Sequence, residues 1–413
     1  MLRVRQDFDR DHIADIPAQV SQEVAKLNLR DRVRAGDTVA VTGGSRGVAN
    51  IAIILKSVVQ ELQKLGTRPF IIPAMGSHGG GTAEGQREVL EHKGITETSM
   101  GVPIKAGMET SLIGETPQGI PVFVDNFALG ADHIVVVNRI KPHTDFDGEI
   151  ESGLSKMMAI GLGKHQGAKH YHRANIRYGY YTVITSVANV VKQNCKILFG
   201  LGIVENAYDE TFLIEGILCP EIESRERELL KIAKSSLARL PFDQGDVLVI
   251  DEMGKNISGA GMDTNVIGRT VSQRERGPMK PLFTRIFVRD LSEESDGNAV
   301  GIGLADIVTR RLVDKIDPKP TYINAITSTN VEAARIPVTF DSDQEAVETA
   351  ILTSGVVTSE DCRLVWVKNT LKLDQFIASE SLLEEIRSKN NLTVLEELGE
   401  LSFTDQRNLA NLL

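Results

Sequence analysis

Strand-like and helix-like runs alternate through the first half of this chain, and that alternation limits the possible folds more than any other feature. Residues 37–43, DTVAVTG, read as a buried strand. Residues 50–66, NIAIILKSVVQELQKLG, read as an amphipathic helix that stops at Gly66. The next strand is 68–76, and a Gly-rich turn within 77–95 leads to a helix with Thr82 as its N-cap. Strands follow within 119–129 and 131–143, a helix over 180–193 and a strand over 196–205. Such alternation predicts a mostly parallel α/β sheet. A charged helix, 223–242, breaks at Pro241, and a second α/β unit opens with DVLVIDEMG, 246–254. That unit continues through LFTRIFVRDL, the strand-like TYINAIT and the strand 361–370. The expectation is two α/β domains with mostly parallel sheets, 1–243 and 244–372, and an active-site cleft between them. The tail, 373–413, reads as helical and polar and is expected to pack on the first domain.

Bulk properties narrow the function classes. The chain has 413 residues, 41% hydrophobic and 25% charged, the balance of a soluble globular protein. A net charge of −10 argues against nonspecific nucleic-acid binding, which needs clustered Lys and Arg. No window approaches the roughly 18–20 apolar residues of a membrane span, and the polar N-terminus has no apolar core of a leader, so a cytoplasmic location is expected. Cys195, Cys219 and Cys362 lie far apart, which encodes neither a disulfide framework nor a thiolate zinc site.

The segment TVAVTGGSRGVAN, 38–50, looks like a dinucleotide loop, where glycines let backbone N–H groups approach phosphate at a helix N-terminus. Ala49 stands where the short-chain dehydrogenase pattern has its last glycine. Those enzymes also need Tyr-x-x-x-Lys, in which lysine lowers the tyrosine pKa. No tyrosine here has Lys four residues later; Tyr171 is followed there by Asn175. An NAD(P)-dependent short-chain-like oxidoreductase is therefore the alternative reading, beside a ligand-free turn. Arg46 in the turn is better explained by an anion to bind.

The histidines gather after strands. His78 lies in AMGSHGGG and His143 in NRIKPHTDFDGE, while His165, His170 and His172 crowd into GLGKHQGAKHYHR. Functional side chains in open parallel sheets tend to occupy loops beyond the carboxyl ends of strands, so one crevice can collect Arg46, His78 and His143. Imidazoles suit nickel, zinc, copper or iron, and two histidines can also form an acid–base pair. The bland alternatives are exposed turn residues and, for 165–172, a solvated basic face with Lys164, Lys169 and Arg173. A non-catalytic small-anion or metal-binding protein is a further alternative.

In order along 37–175, these segments resemble the nickel-pincer-nucleotide-dependent lactate racemase family. The matching pieces are Ser45-Arg46, Gly76-Ser77-His78, Gly119-Ile120-Pro121-Val122 and Lys141-Pro142-His143. They continue with Gly153-Leu154-Ser155-Lys156, Gly161-Leu162-Gly163 and His170-Tyr171-His172. The resemblance implies a racemase or epimerase that inverts C2 of a 2-hydroxy acid by hydride transfer. It implies a nickel-pincer nucleotide, a pyridinium-3-thioamide-5-thiocarboxylic acid mononucleotide with nickel, and cofactor-building enzymes as partners. Residue by residue, it makes Lys156 the covalent attachment point, with Gly76 and Ser77 near the cofactor. His78 and His143 become the acid–base pair, His172 the nickel ligand with His170 as alternative, and Arg46 and Ser45 substrate residues. The family uses polar and cationic second-domain residues over substrate, and by position Asn265 and Arg269 fill that role. Two departures stand out: Gly43 and Gly47 replace the usual Asp and Pro, and the loop after His143 is acidic. Asp145, Asp147, Glu149 and Glu151 there disfavour a small monoanion, accept hydroxyls of a polyol acid, or face solvent.

Overall fold

The computed structural model describes residues 1–45, 47–271, 279–410 and 412–413. Arg46, a candidate substrate residue, lies outside the described residues. The chain divides into two compact units, Asp9–Leu237 and Met1–Phe8 with Ala238–Leu413.

The first unit is built on a five-stranded sheet. In spatial order its strands are Arg68–Pro73, Thr38–Gly43, His133–Arg139, Ile197–Glu205 and Thr211–Leu218. The first four pair in parallel; Thr211–Leu218 returns antiparallel. Alternate residues of each strand point to opposite faces, and two cores result. Ala40, Ile72, Ile134 and Val136 face one, shared with Val183, Val187 and Val191 of helix Tyr180–Asn194. Val39, Val41, Ile71, Val135 and Val137 face the other. Helix Ile51–Lys64 closes that second face with Ile51, Ile54, Leu55, Val58 and Leu62, one stripe at helical spacing. The strand order reverses beside Thr38–Gly43, because the chain first crosses to Arg68–Pro73 and later returns to pair on the other side with His133–Arg139. Open α/β sheets bind ligands at the carboxyl ends of strands beside such a reversal.

The second unit holds an eight-stranded sheet. Val338–Phe340, Ile307–Thr309, Leu282–Leu291, Gln244–Met253 and Leu364–Val367 run parallel. Gln375–Ala378, Leu2–Gln6 and Leu392–Glu397 continue it antiparallel. The five-stranded sheet is thus mostly parallel with one antiparallel edge strand, whereas the eight-stranded sheet is mixed. The tail, for which the sequence suggested helix and a place on the first domain, instead supplies two strands here; short helix Leu383–Arg387 lies between them. Its buried apolar run, Phe376-Ile377-Ala378 with Leu392 beyond it, is short and escapes notice in a polar context. TYINAIT is helical, within Pro318–Thr327, because Asp317 caps the Lys319 N–H and Pro318 presets the first turn. Among the described residues no helix is long and apolar enough to cross a membrane.

Candidate functional site

Three sequence-predicted candidates of the first unit follow closely on the carboxyl ends of its strands. Ser45 comes two residues after strand Thr38–Gly43, His78 five after Arg68–Pro73, and His143 four after His133–Arg139. Lys156 ends a single helical turn, Leu154–Lys156, and His172 sits within helix Lys164–Tyr178.

The His78 loop is tightly specified. Gly76 has φ 62°, a left-handed conformation that a side chain resists, and an added Cβ would sit 3.0 Å from Ile160. His78 is exposed, and its Nδ1 lies 2.5 Å from the Ser45 hydroxyl. Gln86, wholly buried, donates from Nε2 to the carbonyls of Gly76 at 2.9 Å and His78 at 3.2 Å.

The His143 loop closes on a buried carboxylate. Glu151 accepts from the His143 N–H at 2.6 Å and the Gly148 N–H at 3.1 Å, and Lys234 pairs with it at 2.5 Å. This carboxylate therefore neither faces solvent nor waits for a hydroxyl; it shapes the loop. Glu149 pairs with Arg227 at 3.4 Å at the surface. The Asp145 N–H donates to His143 Nδ1 at 3.0 Å, which makes Nδ1 an acceptor and leaves the proton of a neutral ring on Nε2.

Aromatic contacts join His143 to His172. The His143 ring lies 4.6 Å from Phe146 and 5.8 Å from Tyr180, and Phe146 and Tyr180 stack at 5.0 Å. His172 meets Tyr180 edge-on at 6.4 Å. Its Nδ1 is buried with no hydrogen-bond partner among the described residues. Burial, reinforced by the Lys156 charge, lowers its pKa to about 4, so the imidazole is neutral at pH 7. His170 leaves the same helix on another side: its Nδ1 contacts the Gln166 carbonyl at 2.9 Å and its ring lies 5.2 Å from Phe123. Tyr171 between them is a buried anchor whose hydroxyl accepts from the Phe123 N–H at 3.0 Å; burial pushes it up to about 12.

Lys156 is held from behind. Glu226, wholly buried, accepts from the Ser155 N–H at 3.0 Å and the Ser155 hydroxyl at 2.6 Å. Burial lifts this carboxyl to about 7, against those hydrogen bonds. After Lys156 the chain makes a π-helical turn, Met157–Gly161, with Leu162 N–H bonded to the Met157 carbonyl at 3.0 Å. Such turns recur at functional sites. An added Cβ on Gly161 would stand 2.9 Å from the Ala74 carbonyl oxygen, so glycine is what lets this turn approach that backbone.

Several of these residues carry no motif-level signal. Glu151, Glu226, Gln86, Phe146 and Tyr180 are ordinary residues within strong or acidic segments. A solvated basic face would expose Lys164, yet it is fully buried; His165, Lys169 and Arg173 are exposed as such a face requires.

The dinucleotide-like turn has an internal partner. The Ala49 N–H donates to Glu205 Oε1 at 2.7 Å, and Arg139 pairs with the same carboxylate. A carboxylate of the chain thus holds an amide that a dinucleotide phosphate would use. In the second unit, Arg269 donates to Asp306 at 2.7 Å and to the carbonyls of Leu304 and Phe283 at 3.1 Å, a bracket between loops rather than an open cation. Asn265 hydrogen-bonds Asp263 from its N–H and its amide, both at 2.9 Å, at the start of short helix Thr264–Ile267.

Residues 6–180, which hold all of these first-unit candidates, match the family described as lactate racemase N-terminal domain. That segment is thus distantly related to the family, while the rest of the chain lies outside the match. The lactate racemase apoprotein from Thermoanaerobacterium thermosaccharolyticum shares this chain's fold with a TM-score of 0.52 at 13% identity. The likeness covers 89% of this chain and 94% of that one. No curated protein matches the chain in sequence.

Proposed function

We propose that this protein is a lactate racemase-like isomerase that inverts C2 of a 2-hydroxy acid with a nickel-pincer nucleotide joined to Lys156. The observation that carries the reading is the neutral His172, whose buried Nδ1 has no partner among the described residues, in the electrostatic reach of Lys156 and linked through Tyr180 to His143. Neutral imidazole is the form that ligates nickel. Among the described residues no three His, Cys, Asp or Glu converge on a metal position; a pincer cofactor asks the protein for a single ligand. Lys156 and His172 fit that requirement, and His172 is preferred to His170, whose Nδ1 is engaged with its own helix.

When bound, the cofactor would supply a hydride acceptor for the substrate C2. The residues of the chain do the proton work. His143 can take the hydroxyl proton at Nε2 only with its own proton on Nδ1, so its contact with the Asp145 N–H must open when substrate binds. His78, steadied by the Ser45 hydroxyl, takes the same part on the other side of the carbon. Gly76 and Ser77 bring the backbone close, Arg46 is assigned the carboxylate as a planar two-pronged donor, and Asn265 is the second-unit candidate. The oxidoreductase alternative is disfavoured by the Ala49–Glu205 contact.

Co-expression with the cofactor-building enzymes should give a mass adduct that maps to Lys156. The loaded protein should then invert a C2-deuterated 2-hydroxy acid with the label retained. Washout of the label to solvent would mean proton abstraction at carbon and would overturn the hydride reading.

A further inference from the structure

Lys164 opens helix Lys164–Tyr178 with φ 53°, a left-handed conformation that non-glycine residues rarely hold. Its side chain is entirely buried. The ammonium lies 3.1 Å from Asp125 Oδ2, donates to Gln86 Oε1 at 3.2 Å, and contacts the Pro73 carbonyl. Asp125 Oδ1 in turn accepts from the Ala128 N–H at 2.9 Å. Gln86 spends both donor hydrogens on the carbonyls of Gly76 and His78. A chain of buried polar contacts therefore runs from Asp125 through Lys164 and Gln86 to the backbone of the His78 loop.

Stability alone does not explain this network. A buried ion pair adds little over apolar residues of similar volume, because desolvation offsets the attraction. A leucine in place of Lys164 would fill space but could not donate to the Pro73 carbonyl or to Gln86 Oε1, which orients the amide that holds carbonyls 76 and 78. What the network does supply is direction: the ammonium ties Gln86 to the strand end at Pro73, and Gln86 fixes two carbonyls of the loop, at Gly76 and His78.

We propose that Lys164 and Gln86 are positioning residues, which fix the His78 imidazole against Ser45 by gripping the backbone of its loop. This inference rests on the acid–base role given to His78 above, and it goes beyond that role by naming what aims the ring. A loop so constrained keeps its catalytic group in register. Misplacement by about 1 Å is enough to cost on the order of a hundredfold in rate.

The test replaces Gln86 and reads His78 directly. Gln86→Met keeps the volume and removes both donors. Gln86→Glu keeps an acceptor for Lys164 but, as a carboxylate, cannot donate to either carbonyl; it decides the matter should the methionine variant not fold. In unloaded protein with 15N-labelled histidine, the His78 ring nitrogens should move toward the averaged shifts of a free imidazole, while those of His143 and His172 stay in place. In loaded enzyme, kcat should fall by tenfold or more, with KM within about twofold and the Lys156 adduct formed in full. Unchanged His78 signals in a folded variant overturn the proposal. If the His78 signals move while His78→Ala leaves turnover intact, the positioning stands and the acid–base assignment fails.

Discussion

Two buried titratable groups flank Lys156, and they respond to pH in opposite directions. Glu226 has its carboxyl raised from 4.5 to about 7 by burial. The folded state therefore binds more protons than the unfolded state across that window, and stability falls as pH rises through it. His172 is lowered from 6.5 to about 4, by burial first and the Lys156 charge second. The unfolded state binds more protons there, so stability is lost as pH falls through that window. Where the windows overlap the two slopes cancel. Single variants should unmask them in the unloaded protein. Glu226→Gln, which keeps an acceptor for Ser155, should raise stability at pH 8 relative to wild type by up to roughly 3 kcal/mol, with no gain at pH 4. His172→Phe should raise it at pH 4 by a similar amount and leave pH 8 little changed. Urea midpoints across pH 4 to 8 check both; parallel curves for wild type and variants would contradict the assigned burial. Neither carboxylate nor imidazole announces its burial in the sequence. His172 was legible because histidine near Lys156 belongs to a recognisable order of motifs. Glu226 lies in ESRERELLKIAKSS, where one glutamate among several turns inward and composition cannot say which.

At the scale of elements, the sequence predicts well where period and caps agree. Helix Ile51–Lys64 shows a full apolar stripe, and Thr82 caps helix Ala83–Glu91 by accepting from the Gly85 N–H at 3.1 Å, as its position predicts. The candidate loops were legible for the same reason: each glycine-rich or Pro-His segment follows a strand dense in β-branched residues. Prediction fails where the two signals conflict. TYINAIT has β-forming composition, but Asp317-Pro318 starts a helix just before it. Composition is the weaker signal, since exposed Tyr322, Ile323 and Ile326 receive no sheet neighbours to reward an extended form. If the cap decides the conformation, Asp317→Ala should destabilise the second unit by about 1 kcal/mol. Asp317→Asn should recover most of that. Equal melting temperatures for the alanine variant and wild type would show that the Asp317–Lys319 contact contributes nothing.

Across the whole molecule, the chain leaves the second unit after Phe8 and re-enters it at Ala238. The first unit is thus inserted behind a single strand, Leu2–Gln6. That strand is not at an edge. It pairs antiparallel with Gln375–Ala378 on one side and Leu392–Glu397 on the other, with Val4 wholly buried. No reading of either end alone reveals this, because the pairing joins residues almost the full chain length apart, and each segment is too short to show a period. The consequence is measurable. Among the described residues, strand Leu392–Glu397 has Leu2–Gln6 as its only sheet neighbour. Deleting residues 1–8 removes the backbone partners of that strand, whereas Gln244–Met253 keeps its own on both sides. Hydrogen exchange should show amides of 392–397 losing protection in the deleted protein while those of 247–250 remain slow. Full protection at 392–397 after the deletion would mean that the tail is held by side-chain packing alone, and that the first strand is dispensable to the sheet.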